Sequence, residues 1–136
     1  MTTTRRLSRE LALQVLFQQE FAPQKQAVGE GLATFRRSFD ATPEVWDYTQ
    51  LLLEGIVENS GAIDAAIQKA SAHWTLKRMA LVDLIIMRIA VYELKHAAEL
   101  IPPAVAINEA IEVSKKYGTV DSAAFVNGIL DQIVKH

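Results

Sequence analysis

The chain has 136 residues, half of them hydrophobic, which suits one domain with a core of ordinary size. Its net charge of -2 argues against a uniformly basic nucleic-acid binder, and the absence of cysteine excludes disulfides, cysteine-ligated zinc and thiol catalysis. The most apolar run, 79–94, is interrupted by Asp83, Arg88 and Glu93, so we expect no membrane span. We find no signal peptide and expect one soluble, cytoplasmic domain over residues 1–136.

The charge is concentrated unevenly along the chain. Arg5, Arg6 and Arg9 lie among the first nine residues, which contain no acid, so this tip carries +3 and the remainder -5. Arg5 and Arg9 are four residues apart and share a helix face, whereas Arg6 lies about 100° round the helix. A planar guanidinium can donate two hydrogen bonds to one phosphate. The tip is a candidate phosphate-binding edge; the alternative is a solvated helix start.

Apolar residues recur at three- and four-residue steps through the first half of the chain, which predicts helices. The first helix ends before Pro23, and the second carries an apolar stripe that reaches Phe39. Thr42-Pro43-Glu44 is typical of a helix start, with an N-cap, a first-turn proline and a first-turn acid. This third helix should end near 59–61. Its side chains available to the core are Val45, Trp46, Leu52, Leu53, Ile56 and Val57.

The second half continues the helical pattern. A stripe that ends at Trp74 predicts a short fourth helix, and a central helix, buried on most sides, covers about 79–96. A sixth helix follows Pro102-Pro103 and stops at Gly118, and Asp121 or Ser122 could cap the last one. No alternating strand pattern persists. We predict an all-α, compact bundle of about seven helices, with candidate seams at 59–61 and 102–103.

Catalysis finds little support in the sequence. The three histidines are scattered, without metal-ligand spacing, and no nucleophile-elbow, phosphate-loop or dinucleotide motif is present. Glutamates at helical spacing usually form a solvated face. Arg88 and Glu93 lie in the apolar helix, where unpaired charge is unfavourable, so we expect each to have a buried partner. We therefore predict no enzyme activity, no metal and no cofactor.

A second candidate binding segment runs from Lys115 to Phe125. It contains two lysines, a tyrosine, a turn and then a helix N-terminus, whose free amides attract phosphate. An aromatic ring such as Phe125 can stack on an unpaired base, and a carboxylate such as Asp121 can accept a hydrogen bond from a base amino group. The alternatives are that Asp121 caps the helix and that Phe125 fills the core.

Four blocks of sequence resemble the bacterial NusB family of transcription antitermination factors. They are Arg5-Arg6-x-x-Arg9 followed by Ala12 and Leu16, RIAVYEL at 88–94, INEAIEVSKKYG at 107–118 and FVNGILD at 125–131. The match runs in order over nearly the whole chain. The resemblance implies an all-α fold of two helical subdomains that binds boxA RNA together with NusE, a ribosomal small-subunit protein. It further implies that the pair helps assemble an antitermination complex on RNA polymerase.

By position, the resemblance assigns RNA contacts to Arg5, Arg6, Arg9, Asp121 and Phe125, to which the basic segment above adds Lys115. It assigns NusE contacts to Phe17 and Asp83. Two departures predict a weaker electrostatic contribution: Ala124 replaces a lysine of some relatives, and Leu7 interrupts their arginine run.

Two rival functions stay open at this stage. The chain could be a helical interaction module without RNA contact, or a NusB-like domain that serves an RNA methyltransferase. Self-association into a homodimer is a further alternative, because the hydrophobic stripes do not reveal which one faces a partner.

Overall fold

The computed structural model describes residues 2–22 and 27–135, and these residues form seven α-helices and one short 3₁₀-helix, without a strand. The α-helices are α1 (Thr2–Glu20), α2 (Val28–Ser38), α3 (Pro43–Glu58), α4 (Ser60–Ala70), α5 (Leu81–His96), α6 (Pro103–Tyr117) and α7 (Ser122–Lys135), and the 3₁₀-helix is Leu76–Arg78. The all-α prediction is confirmed. Pro23, which is predicted to follow the first helix, lies outside the described residues. Within the described part of the chain, no helix is both long and apolar enough to cross a membrane.

The helices divide into two compact units, Met1–Glu58 and Asn59–His136, which we call the first and the second unit. The division falls at one of the two predicted seams. The other predicted seam, at 102–103, lies inside the second unit, where Pro103 is simply the first residue of α6.

In the first unit, α1, α2 and α3 pack against one another. The start of α3 is as predicted, since Pro43 begins the helix and the carbonyl of Thr42 accepts from the amide of Val45 at 3.1 Å. Two predictions of burial are wrong. Val57 is exposed in the last turn of α3. Phe39 is also exposed, because the chain turns to extended backbone after α2 and the ring stacks on Phe35 instead, with centroids 5.5 Å apart.

In the second unit, α5 packs against α4, α6 and α7, and nine of its sixteen residues are buried. This agrees with the predicted central helix. Arg88 of α5 has the predicted ionic partner: its Nε and its terminal nitrogen donate to the two carboxylate oxygens of Asp64 on α4, at 2.8 and 3.0 Å. The fourth helix ends earlier than its predicted stripe: α4 stops at Ala70, so Trp74 lies beyond the helix and is exposed.

Candidate nucleic-acid interface

The arginine tip packs against α3 more closely than the sequence suggests. The Cζ atoms of Arg5 and Arg9 lie 5.0 and 5.9 Å from the ring centroid of Tyr48, so the predicted shared face of α1 is directed at one aromatic ring. Arg5 and Arg6 are half-buried, whereas Arg9 is only 3% exposed. The expectation that all three arginines lie on the surface is therefore wrong for Arg9.

Two buried hydroxyls hold α1 against α3 at this point. The Oγ of Ser8 on α1 donates to the carbonyl of Val45 on α3 at 2.8 Å. The Oγ1 of Thr49 on α3 reaches back to the carbonyl of Ser8 at 3.4 Å, in addition to its 2.7 Å bond to the carbonyl of Val45 within α3. Both hydroxyl groups belong to fully buried residues, where an unmade hydrogen bond would be unfavourable. Since Ser8 lies between the arginines in sequence, these bonds determine where the arginines stand on Tyr48.

The surface beside Arg5 also carries acidic groups. Arg5, Glu44, Asp47 and Tyr48 line one open depression of the first unit, together with Thr4 and Leu51. Glu44 and Asp47 are exposed. Their carboxylates lower the positive potential that a phosphate would meet at Arg5, so the tip is a weaker anion site than three arginines alone would make.

In the second unit, Lys115 is exposed and its Nζ lies 3.1 Å from an oxygen of Glu112, one turn earlier on α6. An exposed pair of this kind is screened by water and contributes ~0–1 kcal/mol to stability, so a phosphate can replace the glutamate at little cost. The neighbouring Lys116 places its Nζ 5.4 Å from the ring centroid of Tyr117. The basic end of α6 is thus available to an anion.

A tight turn between α6 and α7 presents Asp121. The amide of Thr119 donates to the Oγ of Ser122 at 2.9 Å, and the amide of Gly118 donates to the carbonyl of Ser114 at 2.9 Å. A Cβ atom on Gly118 would lie 2.4 Å from the Oγ of Ser122, so the close approach requires glycine. Asp121 is exposed, and its carboxylate has no hydrogen-bond partner among the described residues. The structure therefore does not support the capping alternative for this side chain.

Phe125 is neither in the core nor fully exposed. It is half-buried on α7, and its ring meets that of Trp74 edge to face, with centroids 6.5 Å apart and an interplanar angle of 85°. Asp121 and Phe125 are one helical turn apart, joined by the bond from the amide of Phe125 to the carbonyl of Asp121 at 3.1 Å. The structure thus brings two of the predicted RNA-contact residues together. It adds an aromatic neighbour, Trp74, which the sequence pattern indicated only as part of the fourth-helix stripe.

The two predicted partner-contact residues belong to different units. Phe17, half-buried on α1, packs against the exposed Phe21 with centroids 5.1 Å apart. Asp83 lies in the first turn of α5 and is 7% exposed, and its Oδ1 has no hydrogen-bond partner in the described part of the chain. A buried carboxylate oxygen without a donor is unfavourable, and this oxygen is itself almost inaccessible from outside the chain.

The described residues contain no cluster of three or more histidine, aspartate or glutamate side chains able to hold a metal ion. The candidate surfaces described above contain arginine, lysine, carboxylate and aromatic side chains that are exposed or half-buried. The fold and these surfaces define an all-α protein whose polar and aromatic groups are of the types that proteins direct at nucleic acids.

Comparison with known proteins identifies the family. The NusB family profile matches residues 6–135. The transcription antitermination protein NusB of Bdellovibrio bacteriovorus is 55% identical over 133 residues, which are 98% of this chain and 96% of the relative. That of Geobacter sulfurreducens is 46% identical over 133 residues, covering 95% and 92%. The chain belongs to the NusB family.

Solved structures agree with this assignment. T. maritima NusB superposes with a TM-score of 0.84 at 38% identity, covering 97% of this chain and 91% of that one. A structure described as antitermination factors NusB and NusE in complex with dsRNA matches with a TM-score of 0.83 at 23% identity, covering 99% and 98%, and shows the shared fold.

Proposed function

We propose that the chain is an RNA-binding antitermination factor that recognises boxA-type single-stranded RNA together with NusE and helps assemble an antitermination complex on RNA polymerase. In this proposal it acts in the cytoplasm as a binding protein, without catalysis or cofactor. The observation that carries RNA recognition is the α6–α7 turn. There the carboxylate of Asp121, which has no partner among residues 2–22 and 27–135, and the half-buried ring of Phe125 lie one helical turn apart.

The turn offers two kinds of contact that distinguish bases from phosphates. A free carboxylate accepts hydrogen bonds from base amino groups, and an accessible aromatic ring stacks on a base that is not paired within a duplex. Lys115, at the end of α6, adds a phosphate contact by exchanging its exposed bond to Glu112. This combination favours a single strand over a duplex, whose bases are already stacked.

The arginine tip adds phosphate contacts from the first unit. Arg5 and Arg6 are partly accessible, so we assign them direct contacts. Arg9 is buried and contacts the same Tyr48 ring as Arg5. We therefore assign Arg9 an indirect role, in which it positions the Tyr48 ring and, through it, Arg5. Glu44 and Asp47 limit the affinity of the tip, which is one reason why the chain alone should bind RNA weakly.

A basic partner would strengthen this binding. The Phe17–Phe21 pair offers such a partner an apolar contact, and Asp83, in the first turn of α5, is a second candidate contact. One NusB of the same fold has been solved with NusE and RNA, as described above, and we extend that partnership to this chain. Two linked surfaces make the second set of RNA contacts intramolecular and so raise affinity. The same apolar pair could instead serve a homodimer.

The test is a fluorescence-anisotropy titration of boxA-type single-stranded RNA with the chain alone, with NusE alone and with the mixture, at several salt concentrations. Three direct cations, Arg5, Arg6 and Lys115, predict a log–log salt slope of about -2 for the chain alone, at ~0.7 per phosphate. The mixture should bind more tightly and with a steeper slope. RNA of scrambled sequence is the control.

If the chain were an interaction module without RNA contact, its addition would leave the RNA affinity of NusE and the salt slope of that binding unchanged. That outcome would overturn the proposal and favour the first rival. The methyltransferase alternative is disfavoured, because the relatives above are named transcription antitermination proteins and match over 92% or more of their own length.

A further inference from the structure

Trp74, which forms the edge-to-face pair with Phe125, is not among the RNA-contact residues assigned above. Trp74 is 51% exposed, although tryptophan is among the most apolar side chains, and one part of its ring is covered by Phe125. Single exposed apolar side chains are common on protein surfaces and need no explanation. Trp74 differs from that case in two respects, the fixation of its backbone and the charge of its neighbours.

The backbone of Trp74 is held at both its amide and its carbonyl. Its amide donates to the carbonyl of Ser71 at 2.7 Å, and its carbonyl accepts from the Nε2 of Gln68 at 2.7 Å. The Oε1 of the same Gln68 accepts from the amide of Leu76 at 3.3 Å, so one side-chain amide fastens the chain to α4 at the tryptophan and again two residues later. An exposed ring on a fixed backbone loses little conformational freedom when it binds a ligand, which favours affinity.

Two cationic residues lie three and four positions after Trp74 in the sequence. Lys77 and Arg78 form the last two residues of the 3₁₀-helix, and both are exposed. Neither forms an ion pair with another described residue. Their main-chain atoms lie within ~14 Å of Trp74, the greatest reach of four residues. An exposed aromatic ring followed by unpaired cations is the arrangement that binds single-stranded nucleic acid, with stacking on the ring and phosphates at the cations.

We propose that Trp74, Lys77 and Arg78 form a second RNA-contact surface of the second unit, continuous with Phe125. Trp74 stacks on one base while Phe125 stacks on another, and Lys77 and Arg78 bind the connecting phosphates. This proposal rests on the RNA-binding function proposed above and adds residues to it.

The angle between the rings determines the kind of RNA. Because the two planes are 85° apart, bases stacked on both rings would be nearly perpendicular to each other. Neighbouring bases in a duplex are parallel, so only a flexible single strand with splayed bases can use both rings. An acidic peptide would also be attracted to the cations, but its carboxylates are not aromatic bases that stack on the two rings.

Tryptophan fluorescence reports on this surface directly. The chain has two tryptophans, and Trp46 is 4% exposed in the first unit, so a collisional quencher such as acrylamide reaches Trp74 selectively. Single-stranded boxA-type RNA, added to the full-length chain with NusE, should quench the accessible emission and protect it from acrylamide. RNA that binds by anisotropy but leaves the acrylamide quenching constant unchanged would overturn the proposal.

Substitutions of Trp74 distinguish two roles of its ring, stacking on a base and packing against Phe125. Trp74→Leu keeps an apolar contact to Phe125 but removes the stacking face, and we expect RNA affinity to fall about tenfold or more. Trp74→Phe should retain most of the affinity, because it keeps a ring. Equal affinity for the wild type and the leucine variant would contradict a stacking role.

Charge is tested by K77A/R78A against a matched control, K95A/K135A, which removes two exposed cations elsewhere in the same unit. Lys77 and Arg78 bring the direct cations from three to five, so the wild-type slope for the chain alone becomes about -3.5, at ~0.7 per phosphate. The first variant should return the slope to about -2, and the control should change it much less. Identical slopes for the two variants would contradict the assignment.

The outcomes also separate this proposal from the proposed function. If the wild-type chain binds RNA neither alone nor in the presence of NusE, the proposed function itself fails. If the acidic synthetic peptide poly-glutamate protects Trp74 while RNA does not, the surface is a protein-docking site and the proposal is wrong.

Discussion

The ring of Tyr48 on α3 lies against the guanidinium of Arg5 on α1, with the Cζ of Arg5 5.0 Å from the ring centroid. Arg9 approaches the same ring at 5.9 Å, from the next turn of α1. Tyr48 thus orients Arg5, which is partly exposed, and also contacts Arg9, which is buried. Its removal should affect RNA binding and stability in ways that can be measured separately.

We predict that Tyr48→Leu weakens RNA binding several-fold, because it removes the ring that orients Arg5. A cation–π contact contributes ~0.5–1 kcal/mol at exposed sites and ~2 kcal/mol when desolvated, so the free energy of unfolding should also fall by about that range. Tyr48→Phe keeps the ring and serves as the control. Anisotropy and urea denaturation provide the two measurements, and equal RNA affinity for the leucine and phenylalanine variants would contradict the orienting role.

The arginines should separate into two classes. Arg5→Ala and Arg6→Ala should each weaken RNA binding and change the melting temperature little, because both side chains are partly exposed. Arg9→Ala should lower the free energy of unfolding by ~2 kcal/mol, since a buried side chain loses both its packing and its contact with the ring. Thermal melts of the three variants check this order. A melting temperature for the Arg9 variant equal to that of the Arg5 variant would show that burial is unimportant there.

Asp121→Asn should alter RNA preference without altering stability. The carboxylate has no partner within the described residues, so its charge does not stabilise the fold through a hydrogen bond. The amide group replaces an acceptor-only group with one that also donates, which changes the base edge it can recognise. Competition between RNAs of different sequence measures the preference. Asp131→Asn, on the same helix and exposed, is the control and should leave the preference unchanged.

Phe125→Ala should lower both RNA affinity and stability. Loss of stacking corresponds to ~1–3 kcal/mol in RNA binding. The loss in unfolding free energy should be smaller than the ~3–5 kcal/mol of a fully buried phenylalanine, because this ring is half-buried. Phe125→Trp should retain RNA binding if the site accepts a larger ring. Chemical denaturation and anisotropy of the two variants separate the effects, and a tryptophan variant as unstable as the alanine variant would count against a stacking site.

The Arg88–Asp64 pair should contribute more to stability than the surface pair of Lys115 and Glu112. The first is bidentate and about three-quarters buried, whereas both side chains of the second are well exposed. Asp64→Asn should lower the free energy of unfolding by ~1–3 kcal/mol, between the values for exposed and buried pairs. Glu112→Gln is the matched control and should change it by less than ~1 kcal/mol. Urea denaturation at low and high salt tests both values.

Much of the fold could be read from local sequence signals. The start of α3 at Pro43 follows from first-turn preferences, which depend on neighbouring residues only. The end of α6 before Gly118 is also as predicted, but the glycine there is in extended backbone and is required by its close approach to Ser122 rather than by a left-handed cap. The resemblance of four sequence blocks is also sufficient to indicate the family without the fold. The ends of buried stripes were less predictable: Phe39 and Trp74 continue the apolar pattern after the helix has ended.

What the tertiary structure alone decided is which polar and aromatic groups meet. Trp74 and Phe125 are 51 positions apart in the sequence and share an edge-to-face contact, and Arg9 is buried by a tyrosine on another helix. Helical periodicity gives the face on which a side chain lies, but the partner across that face depends on how helices distant in sequence pack. The residue types of the RNA-contact surfaces are therefore determined by the sequence, whereas their exposure and neighbours are determined by packing.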